Sequence, residues 1–113
     1  MDDALRDYIE AIAPEHRPLF DRVHQLILDV HPDADVMLSY KIPTFVVGDH
    51  RLYVGAWNHG VSFYGWQVGR DGGFCGRHPE LVNSRGTIRV TPSAAASIPD
   101  DEFCELFRAV LAG

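Results

Sequence analysis

The apolar residues of this chain change period twice, and that change limits the fold more than any other feature. Near the start they recur at helical spacing. Leu5, Tyr8, Ile9 and Ile12 stand at i, i+3, i+4 and i+7, the stripe of a helix that buries one side. Asp2 or Asp3 suits its first turn as a cap, and Pro14 follows its end near Ile12. Leu19, Phe20, Val23, Leu26, Ile27 and Val30 form a second stripe, with Arg22, Gln25 and Asp29 on the other side. Pro18 must lie in or before the first turn of that helix, or bend it, and Pro32 ends it. From Val36 the period falls to 2. Val36, Leu38, Tyr40 and Ile42 alternate with Met37, Ser39 and Lys41. Further short strands are expected over Thr44–Val47, Arg51–Trp57, Val61–Tyr64 and Thr87–Val90, with turns at Gly48-Asp49 and Asn58-His59-Gly60. Helical spacing returns in Phe103, Leu106, Phe107, Val110 and Leu111, after Pro99-Asp100 and before Gly113.

Three amphipathic helices and about five short strands make an α+β fold. The expected architecture is a two-layer sandwich, a mostly antiparallel sheet with the three helices packed on one face. Val36, Leu38, Leu52, Val54, Ala56, Val61, Phe63, Ile88 and Val90 can supply the covered face. The opposite face should then carry Met37, Ser39, Lys41, Arg51, Tyr53, Trp57, Ser62, Tyr64, Thr87 and Arg89. Rings, hydroxyls and cations share that surface. It suits a solvent-facing sheet with rings packed across strands, a homodimer interface, or a shallow groove in which Lys41 and Arg89 orient an anion.

Composition narrows the partners. With 113 residues, 46% hydrophobic and 23% charged, the chain is expected to be one globular domain over 1–113. A net charge of −6 and a pI near 5.3 argue against a basic nucleic-acid binder. No apolar run approaches the ~18 residues of a membrane span. An acidic start, Met1-Asp2-Asp3, is unlike a signal peptide, and two cysteines fit a reduced, cytoplasmic protein.

Four short motifs carry a family resemblance. Ser39-Tyr40-Lys41-Ile42-Pro43-Thr44-Phe45 resembles the Ser-Tyr-x-x-Pro-x-Phe signature of the YdhG-like family. Pro14-Glu15-His16-Arg17, Asn58-His59-Gly60 followed by Phe63-Tyr64, and Arg85-Gly86-Thr87-Ile88-Arg89-Val90 resemble its other landmarks, in the same order. The resemblance implies a compact α+β domain related in shape to frataxin-like folds. Some relatives are described as intracellular iron chaperones, and most have no assigned activity. The chain departs from that pattern between Trp66 and Ser84, where Gly69, Gly72, Gly73 and Gly76 oppose a long helix.

The chemical candidates follow. Asp3, Asp7 and Glu10 form an acidic ridge on the first helix, hard oxygen ligands that could hold iron, or simply a solvated helix face. His24 and His31 stand about two turns apart, too far to share one ion without a third element, and no His-x-x-x-His pattern exists. His59 reads as a turn stabiliser. Cys75 lies among glycines near Arg70, Arg77 and His78, where a thiolate could be favoured, and Cys104 adjoins a helix stripe. The segment from Gly69 to Arg77 could present amides to a phosphate, although it lacks a Gly-Lys-Ser/Thr ending.

A binding or accessory module is therefore expected, rather than an enzyme. Iron handling through Asp3, Asp7 and Glu10 is one expectation. The alternatives are an anionic small molecule held by Lys41, Tyr64, Thr87 and Arg89 with Trp57 as a wall, or homodimerisation through the same face.

Overall fold

A computed structural model describes residues 3–66, 69–83 and 86–111. Asp2 as a cap, Arg85 of the fourth motif and the closing Gly113 fall outside these residues. The first helices are α1 (Asp3–Glu10) and α2 (Arg17–Val30), and the strands are β1 (Asp35–Ser39), β2 (Ile42–Val47), β3 (His50–Trp57), β4 (Gly60–Tyr64) and β5 (Ile88–Val90). Between β4 and β5 lie α3 (Phe74–Arg77) and a 3-10 turn (Pro79–Leu81), and the chain continues into α4 (Pro92–Ala95) and α5 (Asp100–Leu111). The sheet order is β1-β2-β3-β4-β5, antiparallel throughout.

The helices cover one face, as the alternation predicts. Phe45, Leu52, Val54, Val61, Phe63, Ile88 and Val90 are fully buried there, with Leu5 and Ile9 of α1, Phe20 and Ile27 of α2, and Phe103 and Phe107 of α5 in the same cluster. Each such side chain contributes about 1.5–3 kcal/mol by leaving water. The phenylalanines make the seam between the layers. Phe63 meets Phe107 edge-on at 5.6 Å, and Phe74 stacks on Phe103 at 5.7 Å.

One local expectation needs correction. The alternation from Val36 to Ile42 runs through a turn. β1 stops at Ser39, Ser39 pairs with Ile42, and Tyr40 and Lys41 form the two-residue hairpin, with φ of 53° and 65°. Both central residues are left-handed, as a hairpin matched to strand twist requires. No glycine or asparagine marks the spot, so period 2 hides the break. The glycine-rich segment holds only a short helix, α3, in keeping with glycines that oppose a long one. Asp71 holds its start, accepting from the amides of Gly73 (3.2 Å) and Cys75 (2.9 Å). Gly72, at φ +63°, lies against α5 so closely that an added Cβ would stand 2.6 Å from the Glu105 carbonyl oxygen. α4 went unforeseen from periodicity, because one turn is too short to show it; Thr91 caps it, with Oγ1 accepting from the Ala94 amide at 3.0 Å.

Candidate functional site

β3 outruns its neighbour. Its last pair with β2 is Thr44↔Tyr53, yet it continues to Trp57. The α1 side chain Tyr8 occupies the space that remains. Its hydroxyl accepts from the Ala56 amide at 3.0 Å and donates to the Ala56 carbonyl at 3.4 Å. Burial raises the Tyr8 phenol above its usual value; the Ala56 backbone works against that, and nearby Tyr64 adds to it. This contact draws the connection between α1 and α2 over the sheet's edge. His16, buried at the start of α2, then donates from Nε2 to the Asn58 carbonyl at 2.8 Å in the β3–β4 turn. Its Nδ1 is buried with no partner among the described residues.

On the uncovered face Gly55, Ser62 and Arg89 are consecutive partners across β3, β4 and β5. Ser62 is almost fully buried, and the His59 ring is bonded to it, with 2.9 Å between Nε2 and the Ser62 Oγ. Arg89 donates from Nη2 to the His59 Nδ1 at 3.1 Å. A guanidinium can only donate, so Nδ1 is the accepting nitrogen and Nε2 carries the proton. Burial lowers the His59 pKa, and the Arg89 charge lowers it further, with His16 acting in the same direction and the Val61 backbone against it. Serine, histidine and a third group here resemble a nucleophile relay with the polarity reversed. A base must accept the serine proton, with its far nitrogen oriented by an acceptor. His59 instead donates to Ser62 and is backed by a cation, so Ser62 is not activated.

These contacts frame an open groove of about 850 Å³. Trp57, Tyr64, Thr87 and Arg89, four of the five ligand residues expected from the sequence, line it. Asn83 fixes the Thr87 rim, its side-chain oxygen accepting from the Thr87 amide at 3.0 Å. Lys41 is the exception. It stands exposed at the tip of the β1–β2 hairpin, toward the opposite edge of the sheet from β5. Because it is a turn residue, the strand alternation that placed it with Arg89 does not apply. Sequence reading missed His16, Asn58 and the groove role of His59. Both histidine segments were visible as motifs, but nothing in sequence joins the start of α2 to the β3–β4 turn.

The other candidates resolve differently. Asp3, Asp7 and Glu10 are exposed, and Asp3 pairs with Arg6 at 3.7 Å. Among the described residues no three His, Cys, Asp or Glu side chains gather where they could hold a metal ion. Cys75 is not thiolate-prone: burial and a hydrogen bond to the Asp71 carboxylate push its pKa up to about 12. Burial works against the Asp71 charge, but bonds from the Cys75 amide and thiol and the Gly73 amide outweigh it and hold that carboxyl low. The amides that might have cradled a phosphate near Gly73 are therefore taken by the chain's own carboxylate.

Comparison with protein-family models, curated proteins and solved structures returned no match. The YdhG-like resemblance thus rests on its four short motifs alone.

Proposed function

We propose that the groove binds an anionic small molecule, with Arg89 as the anion-recognising group and Tyr64, Thr87 and Trp57 as its walls. The observation that carries this reading is how Arg89 is held. Its one partner among the described residues is an uncharged imidazole nitrogen, and none of the ion pairs among those residues includes it. His59 fixes the direction of the guanidinium and uses one donor, leaving the fork free for a carboxylate or phosphate. Among the described residues the groove wall carries a single carboxylate, Glu15, which is exposed. The acidic ridge of α1 shows no comparable convergence of side chains.

Titration calorimetry with inorganic phosphate and malonate, at low salt, tests the reading. Arg89→Gln should weaken binding at least tenfold, whereas Lys41→Ala should leave it unchanged. Equal binding by wild type and Arg89→Gln, or none by wild type, overturns it.

A further inference from the structure

The row that crosses the groove has two unlike ends. At the β5 end stands Arg89, and at the β3 end stands Gly55, with Ser62 between them. The indole of Trp57 is laid back over Gly55. A Cβ added at Gly55 would lie 2.5 Å from indole Nε1 and 2.9 and 3.0 Å from two ring carbons. Only glycine leaves room for the ring there, and Gly55 is itself buried. Trp57 nevertheless remains 45% exposed and lines the groove. One part of the indole rests on the sheet, and the rest is ring surface left open to the groove.

Neighbouring strands lie about 4.8 Å apart, so the backbone at Gly55 and Arg89 is separated by roughly 10 Å. The guanidinium is held by His59, whose ring is in turn bonded to Ser62 in the middle of the row. Hydroxyl and amide side chains, Thr87, Asn83 and Asn58 among them, line the same groove as the indole and the guanidinium. An aromatic side chain exposed in the same groove as a cationic fork can receive a flat ring and an anion together, since bases stack on aromatic residues and guanidinium groups clamp phosphate.

We propose that the ligand of this groove is a flat aromatic ring joined by a short polar spacer to one anionic group, the chemistry of a nucleoside monophosphate, with the ring on Trp57 and the anion on Arg89. Gly55 is then a specificity-determining position, because it sets where the indole lies. This inference rests on the anion reading above and narrows it.

Calorimetric titration with adenosine monophosphate, ribose 5-phosphate and adenosine tests it on wild type, Trp57→Leu, Gly55→Val and Arg89→Gln. Wild type should bind adenosine monophosphate about tenfold or more tighter than ribose 5-phosphate, the increment expected from one stacked ring. Trp57→Leu should erase that difference, bringing adenosine monophosphate down to the affinity of ribose 5-phosphate. Gly55→Val should do the same by displacing the indole. Should that buried substitution fail to fold, Trp57→Leu, at an exposed position, still decides. Arg89→Gln should weaken both phosphates. Equal affinity of wild type for the two phosphates, or a difference that survives Trp57→Leu, overturns the ring placement while the anion reading stands. Adenosine binding as tightly as its monophosphate, or phosphate binding indifferent to Arg89→Gln, overturns both.

Discussion

Arg22 and Arg89 carry the same guanidinium into two regions of the molecule, with opposite results. Arg22 leaves α2 and reaches the segment that joins α4 to α5. It donates to the carbonyls of Ala95 at 3.0 Å and Ile98 at 2.6 Å, pairs with Asp100 at 2.7 Å, and lies 4.9 Å over the Phe103 ring. Its donors are spent on the protein, and it ties two helical segments together. Arg89 is exposed and spends one donor on a neutral ring nitrogen. A saturated guanidinium is a structural bond, whereas a fixed but unsaturated one is a recognition group. Neither local sequence distinguishes them. The difference lies in what the fold brings within reach.

The contrast can be broken in several ways. The largest effect should come from the ring beneath Arg22. Phe103 is fully buried, and Phe103→Ala should cost about 3–5 kcal/mol in urea unfolding. A loss below about 1 kcal/mol would mean that the α5 stripe does not face the seam. Next, Arg22→Ala should cost about 1.5–3 kcal/mol, because it strands the Ile98 carbonyl and leaves that of Ala95 with the Ile98 amide alone. Arg89→Gln should change the same measurement by less than about 0.5 kcal/mol. Equal losses at the two arginines would dissolve the distinction between them.

The smallest effect concerns pH. Burial and then Arg89 hold the His59 pKa below its ordinary 6.5. The folded state therefore gives up this proton more readily than the unfolded chain. The stability His59 supplies is fully present above about pH 6.5 and is lost as pH falls through the lowered value. Half-buried His24, packed between Phe20 and Phe45, follows the same sign. Thermal unfolding at about pH 7.5 and 5.5 should show a smaller drop for His59→Gln than for wild type. An unaltered drop would mean that folding neither desolvates His59 nor sets it against the Arg89 charge.

Much of the fold was legible because burial leaves a periodic trace. The stripes of Leu19–Val30 and Phe103–Leu111 became α2 and α5, and the alternating residues from Leu52 to Val90 became the covered face. The same alternation put Trp57, Tyr64, Thr87 and Arg89 on one side, where they line one groove. It misled at Lys41, since a left-handed pair without glycine preserves the pattern across a turn. It was silent on His16, whose bond to Asn58 spans 42 positions. It was silent too on Cys75, whose neighbour proved to be the Asp71 carboxylate rather than a cation. Periodicity reports which side a residue takes; it carries no information on which distant loop arrives there.

The strand order has a kinetic corollary. β1 to β4 are joined by two-residue turns, so three hairpins can zip early with little loop-closure entropy. β5 arrives only after residues 65–87 have looped round, and it brings Arg89 with it. The edge that carries the proposed anion site is thus the last part of the sheet to assemble, and hydrogen exchange should find its amides among the fastest in the sheet.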